Sequence, residues 1–220
     1  MIPTNSLVVS CQAAPGNPFF SPEAMALMAR AAEAGGAAAI RANSPADIAA
    51  IRAVTGLPII GLHKLGDPSG VFITPTFAAA AGVAEAGADL IALDATQRPR
   101  PDGTSLIDQI ARIHTELGLP VLADVDTHEA GLAAREAGAD LVATTLSGYT
   151  NSIPATAPDI DLVRSLATTL DCPVIAEGRF RTADDIRAAR QAGAHAVVVG
   201  TAITNPMETT AWFAAAMKVV

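Results

Sequence analysis

Short β-branched apolar runs alternate along the chain with longer, alanine-rich stretches whose apolar positions recur at helical spacing. The first pattern predicts buried parallel strands and the second predicts amphipathic helices packed on them. Strands are expected at residues 6–10, 58–62, 120–124 and 173–177, mostly opened by proline. Four more follow a repeated junction. Glu33-Ala-Gly-Gly, Glu85-Ala-Gly-Ala, Glu136-Ala-Gly-Ala and Gln191-Ala-Gly-Ala each end a helix on glycine before an apolar run begins. Glycine tolerates the left-handed conformation that closes a helix, so Gly35, Gly87, Gly138 and Gly193 are the expected closing residues. They lie 52, 51 and 55 residues apart. One strand–helix unit needs roughly 25–30 residues, so each interval holds two units and the chain holds eight.

Local signals agree. Ser21-Pro22 is an N-cap followed by proline at the first helical position, opening a helix over 23–34. Leu106, Ile110, Ile113 and Leu117 fall on one helical face. Thr182 with Asp185 forms a capping box for a helix over 183–192. Eight strands alternating with helices, joined by right-handed crossovers, predict an α/β fold of the (β/α)8 TIM barrel type filling residues 1–220 as a single domain. A doubly wound open sheet is the alternative, but it would not need the periodicity.

In such a barrel, chemistry belongs at the C-terminal ends of the strands. Those ends read Gln12, Arg41, Lys64, Asp94, Asp124, Thr145, Glu177 and Gly200, while the residues before the strands are mostly Pro, Ala and Asp. Strands three and seven are opposite in a ring of eight, so Lys64 and Glu177 are expected to face each other across the mouth. Lys64 shares the parity of Ile60 and Leu62 and can point inward. Desolvation there would favour its neutral form, and a close Glu177 would oppose that. The glycine turns at Gly178-Arg179 and Gly200-Thr201 occupy the usual phosphate position of barrels, with the hydroxyls of Ser147, Tyr149 and Thr201 completing a cradle.

Composition narrows the function. A net charge of -8 lacks the clustered cations that nucleic acid or an anionic membrane surface requires. No stretch resembles a secretory leader or a transmembrane helix. Cys11 and Cys172 make neither a disulfide framework nor a metal spacing, which points to a reduced, cytoplasmic protein. Asp124 and Asp126 could share a face as a Mg²⁺ or Mn²⁺ pair, but without a neighbouring histidine no metal is assigned, and Asp126 is expected to start or cap the next helix. His63 has the wrong parity for the barrel interior, and His195 lies at the wrong end. Trp212 and Phe213 are either core anchors or part of a subunit contact.

The strand-end motifs also resemble a known family. Val9-Ser-Cys-Gln12, Ile59-Ile-Gly-Leu-His-Lys64, Ile73-Thr-Pro75, Asp94-Ala-Thr-Gln-Arg-Pro-Arg-Pro101, Ala123-Asp124, Thr144-Thr-Leu-Ser-Gly-Tyr-Thr150, Ala176-Glu-Gly-Arg179 and Val199-Gly-Thr-Ala-Ile-Thr204 are similar to those of the N-acetylmannosamine-6-phosphate 2-epimerases. The resemblance implies a homodimeric barrel acting on a small amino-sugar phosphate. The implied reaction interconverts N-acetylmannosamine 6-phosphate and N-acetylglucosamine 6-phosphate in amino-sugar and sialic acid catabolism. Lys64 then corresponds to the catalytic base and Glu177 to its partner carboxylate, with Gln12, Arg41 and Asp124 binding substrate. No cofactor is expected, because the net reaction moves one proton. Leu65 and Asn205 depart from the pattern, which has basic residues at both positions. Two other readings stay open: another phosphate-binding barrel enzyme, such as a sugar-phosphate isomerase or a Schiff-base aldolase, and a non-catalytic sugar-phosphate-binding protein.

Overall fold

A computed structural model describes residues 2–150 and 156–218; residues 1, 151–155, 219 and 220 of the expected 1–220 domain lie outside the described residues. The apolar runs form β1 (Ser6–Cys11), β2 (Ala39–Asn43), β3 (Ile59–Leu62), β4 (Leu90–Asp94), β5 (Val121–Asp124), β6 (Leu141–Ala143), β7 (Val174–Glu177) and β8 (Ala196–Val199). They pair in sequence order, all parallel, and β8 returns to β1, which closes the expected (β/α)8 barrel. Pro58, Pro120 and Pro173 stand one residue ahead of β3, β5 and β7. Proline has no N–H for a ladder. Their carbonyls still accept from the N–H groups of Ile40, Ile91 and Val142 on the preceding strands.

The alanine-rich stretches form α1 (Pro22–Ala34), α2 (Pro45–Arg52), α3 (Phe77–Glu85), α4 (Leu106–Arg112), α5 (His128–Glu136), α6 (Ile160–Thr169), α7 (Ala183–Gln191), α8 (Thr201–Thr204) and α9 (Pro206–Ala216). Ser21 caps α1 with proline at its first position, and Thr182 and Asp185 make the reciprocal capping box of α7. Two expectations need correction. α4 runs into a π turn at Ile113–Leu117. In the first junction Gly35 is right-handed and Gly36, at φ +96°, takes the left-handed role that Gly87, Gly138 and Gly193 take in the others. α1 carries its right-handed backbone one residue further, so its closing N–H contacts come from Gly36 and Ala37.

Alternation along the strands separates two layers. Val8, Ile60, Leu62, Leu122, Ile175 and Val198 fill the barrel interior. Val9, Ile40, Ile59, Ile91 and Val121 face the helices. At Gly61 a methyl group would sit 2.5 Å from Val83 Cγ1, so α3 lies against bare backbone there. Among the described residues, no helix is long and apolar enough to cross a membrane.

Candidate active site

The inward parity that packs the barrel continues upward into the mouth. Val8 leads to Ser10 and Gln12, Ala39 to Arg41, Leu62 to Lys64, Leu122 to Asp124, Ala143 to Thr145, Ile175 to Glu177 and Val198 to Gly200. Above the last apolar layer these groups open into a cavity of about 590 Å³. Its wall includes Gln12, Arg41, Lys64, Thr145, Glu177 and Gly200.

Arg41 organises the floor. It is 1% exposed, and its Nη2 donates to Asp124 Oδ2 at 2.6 Å. Its Nη1 lies 3.3 Å from Glu177 Oε2, an ion-pair distance without hydrogen-bond alignment. The Thr145 hydroxyl donates to Asp124 Oδ1 at 2.6 Å and lies 3.2 Å from Glu177 Oε2. A hydroxyl has one hydrogen, so it satisfies one carboxylate as donor at a time. Burial pushes both the Asp124 and Glu177 carboxyls upward, against the pull of Arg41. For Arg41 burial opposes the charge, but the two carboxylates outweigh it and the shift is upward. Among the described residues, Gln12 Oε1 and Arg41 Nε and Nη1 are buried without a hydrogen-bond partner. Buried polar atoms are rarely left so, and both residues line the cavity.

Lys64 stands across the mouth on a hairpin that leaves β3, bridged antiparallel to Ile73. Lys64 is exposed where it lines the cavity. Desolvation by the neighbouring protein lowers its pKa, and Arg41 lowers it further, outweighing Glu177 and Asp124. Among the described residues Lys64 makes no ion pair; the carboxylate opposite is held by Arg41 instead. The mouth thus sets an amine of lowered pKa opposite a part-buried carboxyl of raised pKa, the kind of pair that can exchange protons with a ligand.

The other expected residues divide. Tyr149, Gly178, Arg179 and Thr201 line the cavity. Gly178 has φ +113°, and Gly200 leads into α8 with a virtual Cβ 3.3 Å from Ser10 Cβ. Arg179 gives Nε to the Ala157 carbonyl and Nη1 to the Ser147 carbonyl, so much of its guanidinium holds the loop after β6. Ser147 is buried and its hydroxyl donates to Asp159, the cap of α6, away from the cavity. Asp124 lies beneath the floor as the partner of Arg41. Asp126 accepts from Thr150, and Thr127, not Asp126, caps α5. Cys11 faces the helix layer, where burial pushes its thiol up to about 12. Among the described residues, no three His, Cys, Asp or Glu side chains cluster to hold a metal.

Strand-end reading missed Arg98, Arg181 and Trp212, all on the cavity wall. Arg181 stacks on Trp212 at 4.3 Å. Arg98 sits four residues beyond Asp94 and pairs with it, a spacing visible in the sequence. Trp212 arrives on α9, and no local pattern placed that helix over the mouth.

Comparison with known proteins decides the family. The sequence matches the family described as "Putative N-acetylmannosamine-6-phosphate epimerase" over residues 25–219. The chain belongs to this epimerase family. A relative from Cutibacterium acnes, described as the 2-epimerase of that family, is 51% identical over 96% of this chain and 93% of its own length. One from Caldanaerobacter subterraneus is 46% identical over 97% and 92%. The solved N-acetylmannosamine-6-phosphate 2-epimerase from Clostridium perfringens superposes with a TM-score of 0.94 at 40% identity, covering 98% of this chain and 94% of that one. Thiamine phosphate pyrophosphorylase from Pyrococcus furiosus, at 17% identity and a TM-score of 0.63, shares the fold alone.

Proposed function

We propose that this protein interconverts N-acetylmannosamine 6-phosphate and N-acetylglucosamine 6-phosphate by removing and returning the proton at C2. The observation that carries the reading is Lys64: an amine on the wall of the barrel-mouth cavity, unpaired among the described residues, facing a carboxyl that Arg41 holds. Opening the sugar to its aldehyde places the C2 hydrogen α to a carbonyl, so its loss gives an enolate. Neutral Lys64 takes that proton, and Arg41, with Nε and Nη1 unfilled, stabilises the oxyanion. Two roles are open to Glu177, holding the lysine or serving the opposite face. Its contact with Arg41 in place of Lys64 favours the second, and burial, which raises its pKa against the pull of Arg41, favours a protonated group returning a proton to the other side. Gln12, Thr145 and Tyr149 contact the sugar. Gly178, Arg179, Gly200 and Thr201 receive the phosphate, and Arg181 adds charge to the same wall. The net reaction moves one proton and needs no cofactor.

Proton NMR of N-acetylmannosamine 6-phosphate with the protein in deuterated water tests this. The expected product is N-acetylglucosamine 6-phosphate with deuterium at C2. Unchanged substrate would reject the reading, and complete retention of the original hydrogen would reject the two-group version.

The same reading makes the protein a cytoplasmic homodimer. α9 has no buried residue, and it leaves Phe213 76% and nearby Met217 83% exposed, an apolar face suited to a second copy of the chain. Light scattering should give twice 22.3 kDa, and Phe213→Asp should halve it. The two cysteines are free, as a reduced compartment would keep them.

A further inference from the structure

Lys64 is carried by a projecting hairpin, so something must fix that hairpin. Its base is tied by Leu65 N–H to the Phe72 carbonyl at 2.9 Å and Thr74 N–H to the His63 carbonyl at 2.8 Å. Asn43 Oδ1 accepts from the Lys64 N–H at 2.8 Å. Thr74, at φ +45°, is held in this uncommon conformation by its hydroxyl, which donates to the Ala92 carbonyl at 2.6 Å.

The tip, beyond Gly66, has an anchor of another kind. Arg98 Nη1 donates to the carbonyls of Pro68 and Ser69, both at 3.1 Å. Its Nη2 pairs with Asp94 Oδ2 at 2.8 Å, and its Nε donates to the Thr96 hydroxyl at 3.0 Å. Asp94 ends β4, is 0% exposed, and its other oxygen accepts from the Thr96 N–H and hydroxyl. One guanidinium therefore ties the tip of the Lys64 hairpin to a rigid strand end. Pro68 and Phe72 from the hairpin, with Arg98 itself, form that side of the cavity wall.

We infer that Arg98 is a positioning residue: with Asp94 it forms a clasp that ties the β3–α3 hairpin to the strand end, fixing Lys64 at the mouth and limiting the water around it. The inference rests on Lys64 being the base. A lysine could keep Arg98's charge, but its single ammonium cannot span Asp94, the Thr96 hydroxyl and two carbonyls in the planar fork. The charged groups acting on Lys64 are Arg41 from β2, Asp124 from β5 and Glu177 from β7; the titratable His63 and Asp67 lie beside it on the hairpin itself. Hydration admitted by an open tip would favour the ammonium, so the rising limb of kcat/KM with pH would move to higher pH.

The test compares Arg98→Gln and Arg98→Lys with the unaltered protein by amide hydrogen exchange and by pH-dependent kinetics. Both variants should expose the Leu65 and Thr74 amides to faster exchange, lower kcat by roughly ten- to a hundredfold, and shift the rising limb upward. A fold defect alone would reduce active protein without moving the limb. If Arg98→Lys behaves as the unaltered protein, or if only KM rises, Arg98 is a substrate cation and the clasp is rejected. Faster exchange with unchanged kinetics would also reject it. The exchange measurement needs no substrate, so failure of the proposed reaction would appear separately, as inactivity of the unaltered protein.

Discussion

The two ends of this barrel use similar residues to opposite effect. At the N-terminal end, polar groups pair off. Asp89 accepts from the Ile59 N–H at 2.7 Å and from Arg52 at 2.6 Å, and Asp140 accepts from the Val121 N–H at 2.7 Å and from His114 at 2.8 Å. These two aspartates occupy the same place in the repeat, each steadying the start of the preceding strand. His195, in the fourth copy, bonds to the Ile2 carbonyl. At the C-terminal end, Gln12 and Arg41 keep buried polar atoms without partners among the described residues, and Arg179 and Thr74 take positive φ. Closed pairing stabilises, whereas unfilled polar atoms and raised or lowered pKa values are what a ligand-binding end retains.

The contrast is broken most severely at Lys64. Lys64→Ala should reduce turnover by about 10²–10⁴-fold while leaving Tm nearly unchanged, because its side chain faces the cavity and pairs with nothing described. Steady-state kinetics beside thermal melting separates the two. Arg41→Met should damage both properties. It leaves Asp124 buried without its cation and Glu177 without its neighbour, and breaking a buried pair such as Arg41–Asp124 costs about 3–5 kcal/mol. Denaturant unfolding would show the loss, which should ease toward acid pH as the carboxyls take up protons.

Asp140→Ala tests the other end. The Val121 N–H loses its acceptor, for an expected cost of about 1–2 kcal/mol, with kcat unchanged. A fall in kcat without a fall in Tm would erase the distinction between the ends. The smallest effect belongs to Asp47, whose carboxyl is pushed up to about 6, by burial first and then by Glu23. Its folded-state value exceeds the unfolded one, so its stabilising contribution is present below roughly pH 4 and is lost as pH rises through 6. Asp47→Asn should therefore raise Tm by about 2 °C at pH 8 and leave it unchanged at pH 4.

Most of the barrel could be read from the sequence because parity and repeat period are local properties. The junction glycines fixed the number of units, and the strand ends named Gln12, Arg41, Lys64, Asp124, Thr145 and Glu177 before any coordinates. Partner choice was not local. Opposition across the ring suggested that Glu177 would hold Lys64, but Arg41, deeper on β2, reaches Glu177 and Asp124 together. Ser147 was grouped with the cradle by proximity in sequence, yet its hydroxyl is taken by Asp159, twelve residues on. The π turn at Ile113–Leu117 also escaped, since its apolar stripe fits a regular helix equally well over so short a span. Gly36 replaced Gly35 because two glycines in succession leave the final turn of α1 unresolved by pattern.

The central claim is that the mouth lowers the pKa of Lys64, and the composition makes this directly measurable. The chain has two lysines, Lys64 and Lys218. With lysine labelled at Nζ and Cε, NMR titration should resolve two side chains, assigned through Lys64→Ala. The account predicts that the Lys64 resonance titrates below the ordinary lysine range. Titration of Lys64 within that range would contradict it.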